Sequence, residues 1–567
     1  MDKIKKIIFP LLLFVFSIPA IYQLLKPGFY EPSDLHHLAD IYQMFRAFQS
    51  GQMPPRLGPD FTFGWGYPLF NFYYVLPFYL GAGFFALFGS LTASYKFIFI
   101  LSVLISLPAM YLFLREYFDK IPSFVGSFLY LYTPYRAVEI YVRGAMGEAL
   151  AISLLPAVLW ISIKIIKKPS LRLIAAGSLI IALFLLSHNY LWLLSLPFVG
   201  SILLIMVFLE KKKIISLLAL KIAGLVAAGL TIFWWLPALL EQKLISSTTP
   251  FPLIDHFPFI RQLIIPSWGY GASLPGPYDG LSFQIGVVNL IVFIVSLLII
   301  IFFRKLLTKK RLILSLWAIL GFLVTVFMMN IRSYPIWKLI PFYNFVQFPW
   351  RLLFLTTLFT SVLASVIVQI LPNKISKIFG IIIVLGALIL TFNYFRPSKI
   401  FYKSDNDYLN RMFANRTVSG TKSTISQDYL NWSEDYLLLP KVASKKPNAL
   451  PVSKIEGGKG VDVLNVDEIN PVFWKGEVLA KNDGKVTFFA YSFPGWYTQL
   501  DRKEVKIDTG QPYGQIEVEV SKGMHDIEFF WKETPLRKTA DLISLSSFVV
   551  CLGLFTFPIW KRKIILK

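Results

Sequence analysis

A single cysteine, Cys551, occurs in the chain, and it lies inside an apolar run. That excludes a disulfide framework and any paired-cysteine metal motif. Charge is scarce as well. Asp, Glu, Lys and Arg make up 16% of 567 residues, where a soluble globular protein carries about 25%. No dinucleotide fingerprint, P-loop or His-Glu-x-x-His stands in the sequence. Gly64-Trp65-Gly66 and Gly269-Tyr270-Gly271 are turn signals too short to cradle a phosphate. What the chain does have is apolar surface, 55% of its residues being hydrophobic, the opposite of a disordered composition. The formal charge of +23 would suit nucleic acid unless the positions of the charges say otherwise.

Apolar runs of about 20 residues mark membrane-spanning helices. They fall near 7–25, 96–114, 121–138, 145–163, 171–187, 190–209, 213–240, 283–303, 311–330, 350–371, 376–394 and 540–560. The basic residues sit between them. Lys3, Lys5 and Lys6 place the N-terminus in the cytoplasm under the positive-inside rule. Lys164 to Arg172, Lys211 to Lys213, Arg304 to Arg311, Lys374 with Lys377, and Lys561 to Lys563 mark further cytoplasmic segments. The charge is therefore a topology signal, and no nucleic-acid partner is expected. The first run resembles a secretory signal, but it continues past Ala20 through Leu24 and Leu25, which favours an uncleaved helix. Strict alternation back from Lys164 leaves no crossing for Leu69 to Phe88. That stretch is expected to form a pair of helices or a re-entrant hairpin in the outer leaflet, with Tyr67, Phe70, Tyr73, Tyr74 and Tyr79 as interfacial aromatics. The expected architecture is a polytopic helical membrane protein of twelve spans with both termini inside the cell membrane.

Between 395 and 538 the composition changes to 21 Lys/Arg and 19 Asp/Glu, nearly balanced. Alternating runs such as Gln515-Ile516-Glu517-Val518-Glu519-Val520 are separated by Asn482-Asp483-Gly484, Pro494-Gly495 and Lys522-Gly523. This pattern predicts a β-sandwich, placed outside the cytoplasm by the spans on either side. Residues 395–450 read as irregular, with a short helix near 404–414. The expected division is thus a transmembrane domain over 1–394 with a long first outer loop at 26–95, a mainly β domain over 395–538, and a last helix with a basic tail over 539–567. Asn415-Arg416-Thr417 and Asn431-Trp432-Ser433 match the glycosylation acceptor pattern.

Carboxylates are costly near lipid and tend to mark function. Only 13 occur in residues 1–394. Nine of these fall on the outer side: Glu31, Asp34, Asp40, Asp60, Glu139, Glu148, Glu241, Asp255 and Asp279. Asp34, His37 and Asp40, with Arg46 nearby, suit an acid–base or metal cluster on one helical face. On residue types alone the favoured reading, which does not exclude the first, is Ser33 or Asp34 as the N-cap of an amphipathic helix running to Gly51. Glu148 opens a spanning helix, where a carboxylate favours the helix dipole. Glu139 and Arg143 are spaced as a surface ion pair, and Arg143 with Glu148 also fits the mouth of a cavity. His188 reads as a cap or an interfacial residue. Arg351 snorkels, or meets a phosphate.

Several of these elements together resemble a known family. They are Asp34 and His37; Pro59-Asp60 with Gly64-Trp65-Gly66-Tyr67-Pro68-Leu69-Phe70-Asn71-Phe72-Tyr73; Arg143-Gly144-Ala145 with Glu148 and Pro156; His188-Asn189; Trp268-Gly269-Tyr270-Gly271; and Phe348-Pro349-Trp350-Arg351. Gln427-Asp428-Tyr429-Leu430, Phe493-Pro494-Gly495-Trp496, Gly523-Met524-His525 and Thr534-Pro535-Leu536-Arg537 extend the likeness through nearly the whole chain. The chain resembles bacterial membrane proteins named for a "6-pyruvoyl-tetrahydropterin synthase-related" domain, a group overlapping the YfhO-like proteins, and at fold level the GT-C membrane glycosyltransferases. It departs from the family pattern at Asn431, where proline is frequent. The pterin label implies no pterin chemistry, because the five histidines, at 36, 37, 188, 256 and 525, lack the spacing of a three-histidine zinc site. Neither a pterin nor a nucleotide cofactor is expected.

The GT-C resemblance implies transfer of a sugar from a polyprenyl-phosphate donor to a glycan, lipid or protein acceptor at the extracytoplasmic face. In that reading Asp34 is the general base, and Glu148 orients the acceptor or joins Asp34 in holding a divalent metal ion. Arg143 and Arg351 neutralise the leaving phosphate. His37, His188, Arg46 and Asp40 are supporting polar groups. The alternatives are a transporter or flippase for a lipid-linked glycan, and a non-catalytic envelope protein whose β domain binds glycan.

Overall fold

The computed structural model describes residues 13–246, 251–341, 343–413, 439–447 and 450–565. The N-terminal lysines, both glycosylation patterns and Gln427 to Leu430 lie outside these residues, as do the side chains of Lys561 to Lys563.

Among the described residues nine helices are long and apolar enough to cross a membrane. They are Leu91–Leu114, Met146–Lys167, Leu191–Phe208, Lys213–Leu244, Val287–Leu306, Lys309–Met328, Pro349–Ile370, Asn373–Tyr394 and Pro535–Phe557. Each coincides with an expected span. The helix Leu171–Ser187 matches a tenth, one residue short of that length. Of the expected run 7–25 the described part is helical at residues 13–15 and again over Ile18–Ile21.

The span expected over 121–138 differs. Its α-helix is Lys120–Leu131, 12 residues, or about 18 Å at 1.5 Å per residue, against a hydrocarbon layer about 30 Å thick. A turn, Pro134–Ala137, and a six-residue π-helix, Val138–Arg143, complete the segment. One proline-directed bend, at Pro134, causes this. Thr133 is extended ahead of Pro134, and its hydroxyl accepts from Arg136 N. The short helix is held against 353–370, where Gly126 faces Ser361 and Ser365 and where Ser365 Oγ donates to Pro122 O at 3.0 Å. Small residues permit that close approach.

Leu69 to Phe88 forms two helices, Leu69–Phe72 and Leu76–Phe88, the latter ended by Gly89 in the left-handed conformation. At 13 residues, about 20 Å, it is too short to cross. Its first turns lie over His37–Gln49, the long helix of the first loop.

The soluble part is a β-sandwich of two antiparallel sheets. β1 (Ile455–Gly457), β4 (Gly484–Tyr491), β7 (Asp508–Thr509) and β8 (Gln515–Val520) form one sheet in the order β1-β4-β8-β7. β2 (Val461–Asn470), β3 (Phe473–Ala480), β5 (Trp496–Leu500), β6 (Lys503–Val505) and β9 (Gly523–Trp531) form the other in the order β2-β3-β9-β5-β6. Alternation sets the inner faces. Val486, Phe488, Ile516 and Val518 face Val478, Ile527 and Phe529, with Phe488 stacked on Phe529 at 4.3 Å. The expected short helix near 404–414 is Asp405–Met412, opened by a Ser404–Asp407 capping box.

The sandwich rests on the first loop. Trp65 packs against Phe489, Tyr491 and Tyr513 at 5.5–5.8 Å. Lys454 Nζ donates to Gly64 O. Two buried guanidinium groups bind this assembly to the last helix. Arg56, 1% exposed, meets Glu533 at 3.1 Å and Asp541 at 2.8 Å and donates to Phe233 O. Arg537 meets Glu241 at 2.8 Å, and Asn71 donates to the same carboxylate at 2.6 Å.

Candidate active site

The charged residues of the first loop and of the 132–148 segment meet on the sandwich side of the membrane part, at the N-terminal ends of the two most buried spans, 146–167 and 349–370. Glu148 lies in the first turn of one, and Arg351 in the 3-10 turn Pro349–Leu352 that opens the other.

The backbone places the loop. Ser33 N donates to Val142 O at 3.0 Å and Asp34 N to Arg143 O at 2.7 Å. Tyr30 Oη donates to Ile140 O at 2.7 Å and Tyr95 Oη to Gly144 O at 3.0 Å. The last carbonyls of a helix have no intrahelical partners, and here, at the end of Val138–Arg143, the first loop and the 91–114 helix supply them. Gly144 then turns the chain with φ 73°, a conformation that favours glycine. Its neighbours, Pro32 and the Tyr95 hydroxyl, leave no room for a Cβ.

The N-cap reading of Ser33 or Asp34 is thereby corrected. The helix begins at His37, its N-cap residue is His36, and no side chain caps it. Ser33 Oγ donates instead to Val142 O, and the Asp34 carboxylate is left on the site. The surface-pair reading of Glu139 with Arg143 is corrected too. The pair is real, at 2.8 Å, but the π-helix turns it inward and Glu139 is fully buried.

Arg143 is the hub. Its Nη1 lies 2.8 Å from Glu139 Oε1 and 2.8 Å from Glu148 Oε1, and its Nη2 lies 3.9 Å from Asp34 Oδ2. Arg351 Nε reaches Glu148 Oε1 at 2.9 Å, while its Nη1 donates to Val346 O. Tyr135 Oη donates to Glu148 Oε2 at 3.1 Å. His188 Nδ1 accepts from the amides of Tyr190 and Leu191, capping the 191–208 helix. The proton of its neutral ring therefore sits on Nε2, which faces Glu148 Oε1 at 3.8 Å. Burial keeps that ring neutral, its pKa lowered to about 3.

Three carboxylates thus face two guanidinium groups, and burial pushes one of them, Glu139, up to about 8. Exposure tells the carboxylates apart. The Glu148 side chain is 2% exposed and Asp34 23%. Glu148, with both oxygens engaged and its charge compensated, is poorly placed to ligate a metal, and its geometry suits holding the two arginines. Asp34 is the carboxylate open to an incoming group.

The walls are aromatic. The Arg143 guanidinium lies over Trp350 at 4.8 Å and that of Arg351 over Phe348 at 5.0 Å, and Trp350 stacks with both Phe348 and Phe283. Across the site Tyr73, Tyr74 and Phe78 stack, and Tyr74 stacks on His188.

His37 and Asp40 lie one turn along the loop helix. His37 Nδ1 is 2.9 Å from Asp40 Oδ2, and its Nε2 shares a hydrogen bond with Tyr74 Oη at 3.1 Å. Burial pushes Asp40 up to about 7 and His36 and His37 down to about 4. Arg46 does not join this group. It pairs with Asp60 at 3.2 Å, where Gln43 also donates.

Sequence reasoning left Tyr135, Tyr74, Trp350 and Phe348 out of the candidate site residues. Tyr74, Trp350 and Phe348 stood in the runs that carried the family likeness, so a signal was present. Nothing local pointed to Tyr135.

The architecture and this buried charged cluster define a polytopic membrane protein whose soluble β domain sits over a polar site at the membrane surface. Residues 70–398, more than half of the chain, match the family model described as 6-pyruvoyl-tetrahydropterin synthase related domain, membrane protein. The chain belongs to that family. Among solved structures it is similar to the mycobacterial arabinofuranosyltransferase AftD, with 12% identity and a TM-score of 0.46 over 70% of this chain and 27% of that one. It is also similar to the Archaeoglobus fulgidus oligosaccharyltransferase, with 14% identity and a TM-score of 0.39 over 79% of this chain and 61% of that one. The chain therefore spans about a quarter of the first protein and three fifths of the second. No curated protein matches it.

Proposed function

We propose that this protein is a GT-C-type membrane glycosyltransferase that moves a sugar from a polyprenyl-phosphate donor to a glycan, lipid or protein acceptor at the extracytoplasmic face of the cell membrane. The observation that carries the reading is the junction at Arg143, where an accessible carboxylate and two arginines held by a buried glutamate share one aromatic-walled site.

Each group has a role that its surroundings support. Asp34 accepts the proton of an acceptor hydroxyl. The acceptor oxygen then bonds to the anomeric carbon as the bond from that carbon to the phosphate oxygen breaks, and the phosphate leaves with the electron pair. Arg351 Nη2 makes no hydrogen bond among the described residues, so it is free to meet that phosphate, and Arg143 adds its charge. Glu148, Tyr135 and His188 hold the two guanidinium groups before substrate arrives, which is the preorganisation that makes charge stabilisation effective. The half-buried rings of Phe348 and Tyr73 offer aromatic surface for a sugar, and the buried Trp350 backs the Arg143 guanidinium.

Sidedness follows from the basic residues. Lys164, Lys167 and Lys168 lie at the far end of the helix that begins near Glu148, so the positive-inside rule assigns the site and the sandwich to the other side. Nucleotide sugars are cytoplasmic, which is why a lipid-linked donor is preferred.

The test is mass spectrometry of surface glycans and glycoproteins from cells carrying wild type or Asp34→Asn. A glycan present with wild type and lost with the variant is expected. Unchanged glycans at equal expression would refute the assignment.

A further inference from the structure

We propose that His36, His37 and Asp40 form a binding site for one first-row transition-metal cation of the Zn2+ type, next to Asp34. The geometry is the first ground. One ligand atom from each residue lies within 4.8 Å of the others. His37 Nδ1 and Asp40 Oδ2 are 2.9 Å apart, and His36 Nε2 and the same oxygen 3.9 Å. Ligands held at about 2.0–2.2 Å from a common ion stand roughly 3–4 Å from one another, so side-chain rotations suffice to close the shell. The spacing brings each histidine to Asp40 separately, His37 at i,i+3 and His36, the residue before the helix, at i,i+4.

The donor set is the second ground. Two imidazoles and one carboxylate suit zinc and its neighbours, whereas magnesium and calcium take oxygen ligands almost alone. A third and independent ground is Tyr74. Its hydroxyl holds His37 Nε2 at 3.1 Å, which fixes the ring with Nδ1 turned towards Asp40. Metal-binding histidines are commonly oriented through their far nitrogen in this way. His37 is also packed, tilted or edge-on, against Tyr73, Tyr74 and Phe78, which restricts the ring further.

The site also answers a need. The two arginines are already committed to Glu148 and Glu139, and the nearer of them comes no closer to Asp34 than 3.9 Å. Asp34 acts electrostatically on His36, His37 and Asp40, so a cation there supplies positive charge beside it. That last consequence rests on the glycosyltransferase reading; metal binding itself does not.

The experiment uses the untagged full chain in detergent, stripped with chelator, dialysed against ZnCl2 and assayed for bound zinc. CoCl2 in a parallel sample reports coordination by its visible spectrum. About one zinc per chain is expected for the wild type. His36→Gln and Asp40→Asn should weaken binding at least tenfold, and Tyr74→Phe roughly tenfold, in line with the loss of an outer-shell partner. Thermal unfolding of the metal-free proteins checks that the variants fold, and His36, the most exposed of the three ligands, is the variant least prone to misfold. Substoichiometric zinc in wild type, or the same affinity in His36→Gln and Asp40→Asn, would overturn the site and leave His37–Asp40 as a buried pair that holds the loop helix. No donor or acceptor enters the assay, so glycan loss without zinc binding, or zinc binding with unchanged glycans, shows which of the two proposals has failed.

Discussion

Glu148→Gln and Asp34→Asn remove the same charge from the same cluster and should have opposite consequences. Glu148 is buried and is contacted by Arg143 at 2.8 Å, Arg351 at 2.9 Å and Tyr135 at 3.1 Å. Removing one partner of a buried ion pair costs about 3–5 kcal/mol, because the remaining charges stay desolvated. Glutamine keeps the size and one acceptor oxygen, so the lower end, about 3 kcal/mol, is expected. Asp34 is 23% exposed and 3.9 Å from Arg143. A pair of that geometry contributes about 0–1 kcal/mol. Thermal unfolding followed by tryptophan fluorescence, in one detergent and at one heating rate because membrane proteins unfold irreversibly, should show a clear drop in midpoint for Glu148→Gln and almost none for Asp34→Asn. Glycan transfer should be lost in the second at wild-type stability. If Asp34→Asn lowers the midpoint as far as Glu148→Gln does, Asp34 is a structural charge and the division of roles is wrong.

Three further outcomes are expected. Arg56→Gln leaves Glu533 and Asp541 without their shared cation and should cost about 3–5 kcal/mol, seen as faster proteolysis between sandwich and membrane part; wild-type resistance would mean that the apolar contacts of Trp65 suffice. Gly144→Ala places a Cβ against Pro32 and the Tyr95 hydroxyl at a positive φ, so it should misplace Arg143 and abolish transfer at near-normal expression, and full activity would refute the close approach. In the sandwich, the Asp501 hydrogen bond at 2.7 Å holds His525 above its usual range, and His525 holds Asp501 below its own. The His525 contribution is complete below about pH 6.5 and is lost as pH rises through its raised value, while that of Asp501 is complete above about pH 4 and lost on acidification; a histidine NMR titration with a midpoint at or below 6.5 would contradict the pair.

How much of this was legible in the sequence follows from the physics of each feature. Spans such as 146–167 and 353–370 declare themselves because lipid demands unbroken apolar length. The sandwich declares itself because alternation is local. The short helix 120–131 did not, because Tyr132, Tyr135, Ala137 and Val138 prolong the apolar run past Thr133 and Arg136, and only the backbone shows that Pro134 redirects it. Glu139 was read as exposed for the same reason: an i,i+4 spacing gives the pairing, but a π-helix changes which way the pair points. Arg56 with Glu533 and Arg537 with Glu241 were out of reach altogether. They are separated by 477 and 296 residues, and nothing local to either partner signals the other.

The same irregular segment explains why the carboxylates could nonetheless be picked out. Backbone that leaves helical geometry beside a membrane must find partners for its carbonyls. Here Tyr30, Ser33, Asp34 and Tyr95 provide them for residues 140, 142, 143 and 144. The loop that carries Asp34 is thus bound to the segment that carries Arg143 by main-chain hydrogen bonds rather than by the weak 3.9 Å ion pair. A side-chain change at Asp34 leaves those bonds intact. The carboxylate is consequently held in place by a scaffold that does not need its charge, a circumstance that frees the charge for chemistry. A charge kept at such a position without a structural duty is what the cost of burying carboxylates near lipid leads one to look for; composition narrowed the search to nine outer carboxylates, and only the family resemblance singled out Asp34 among them.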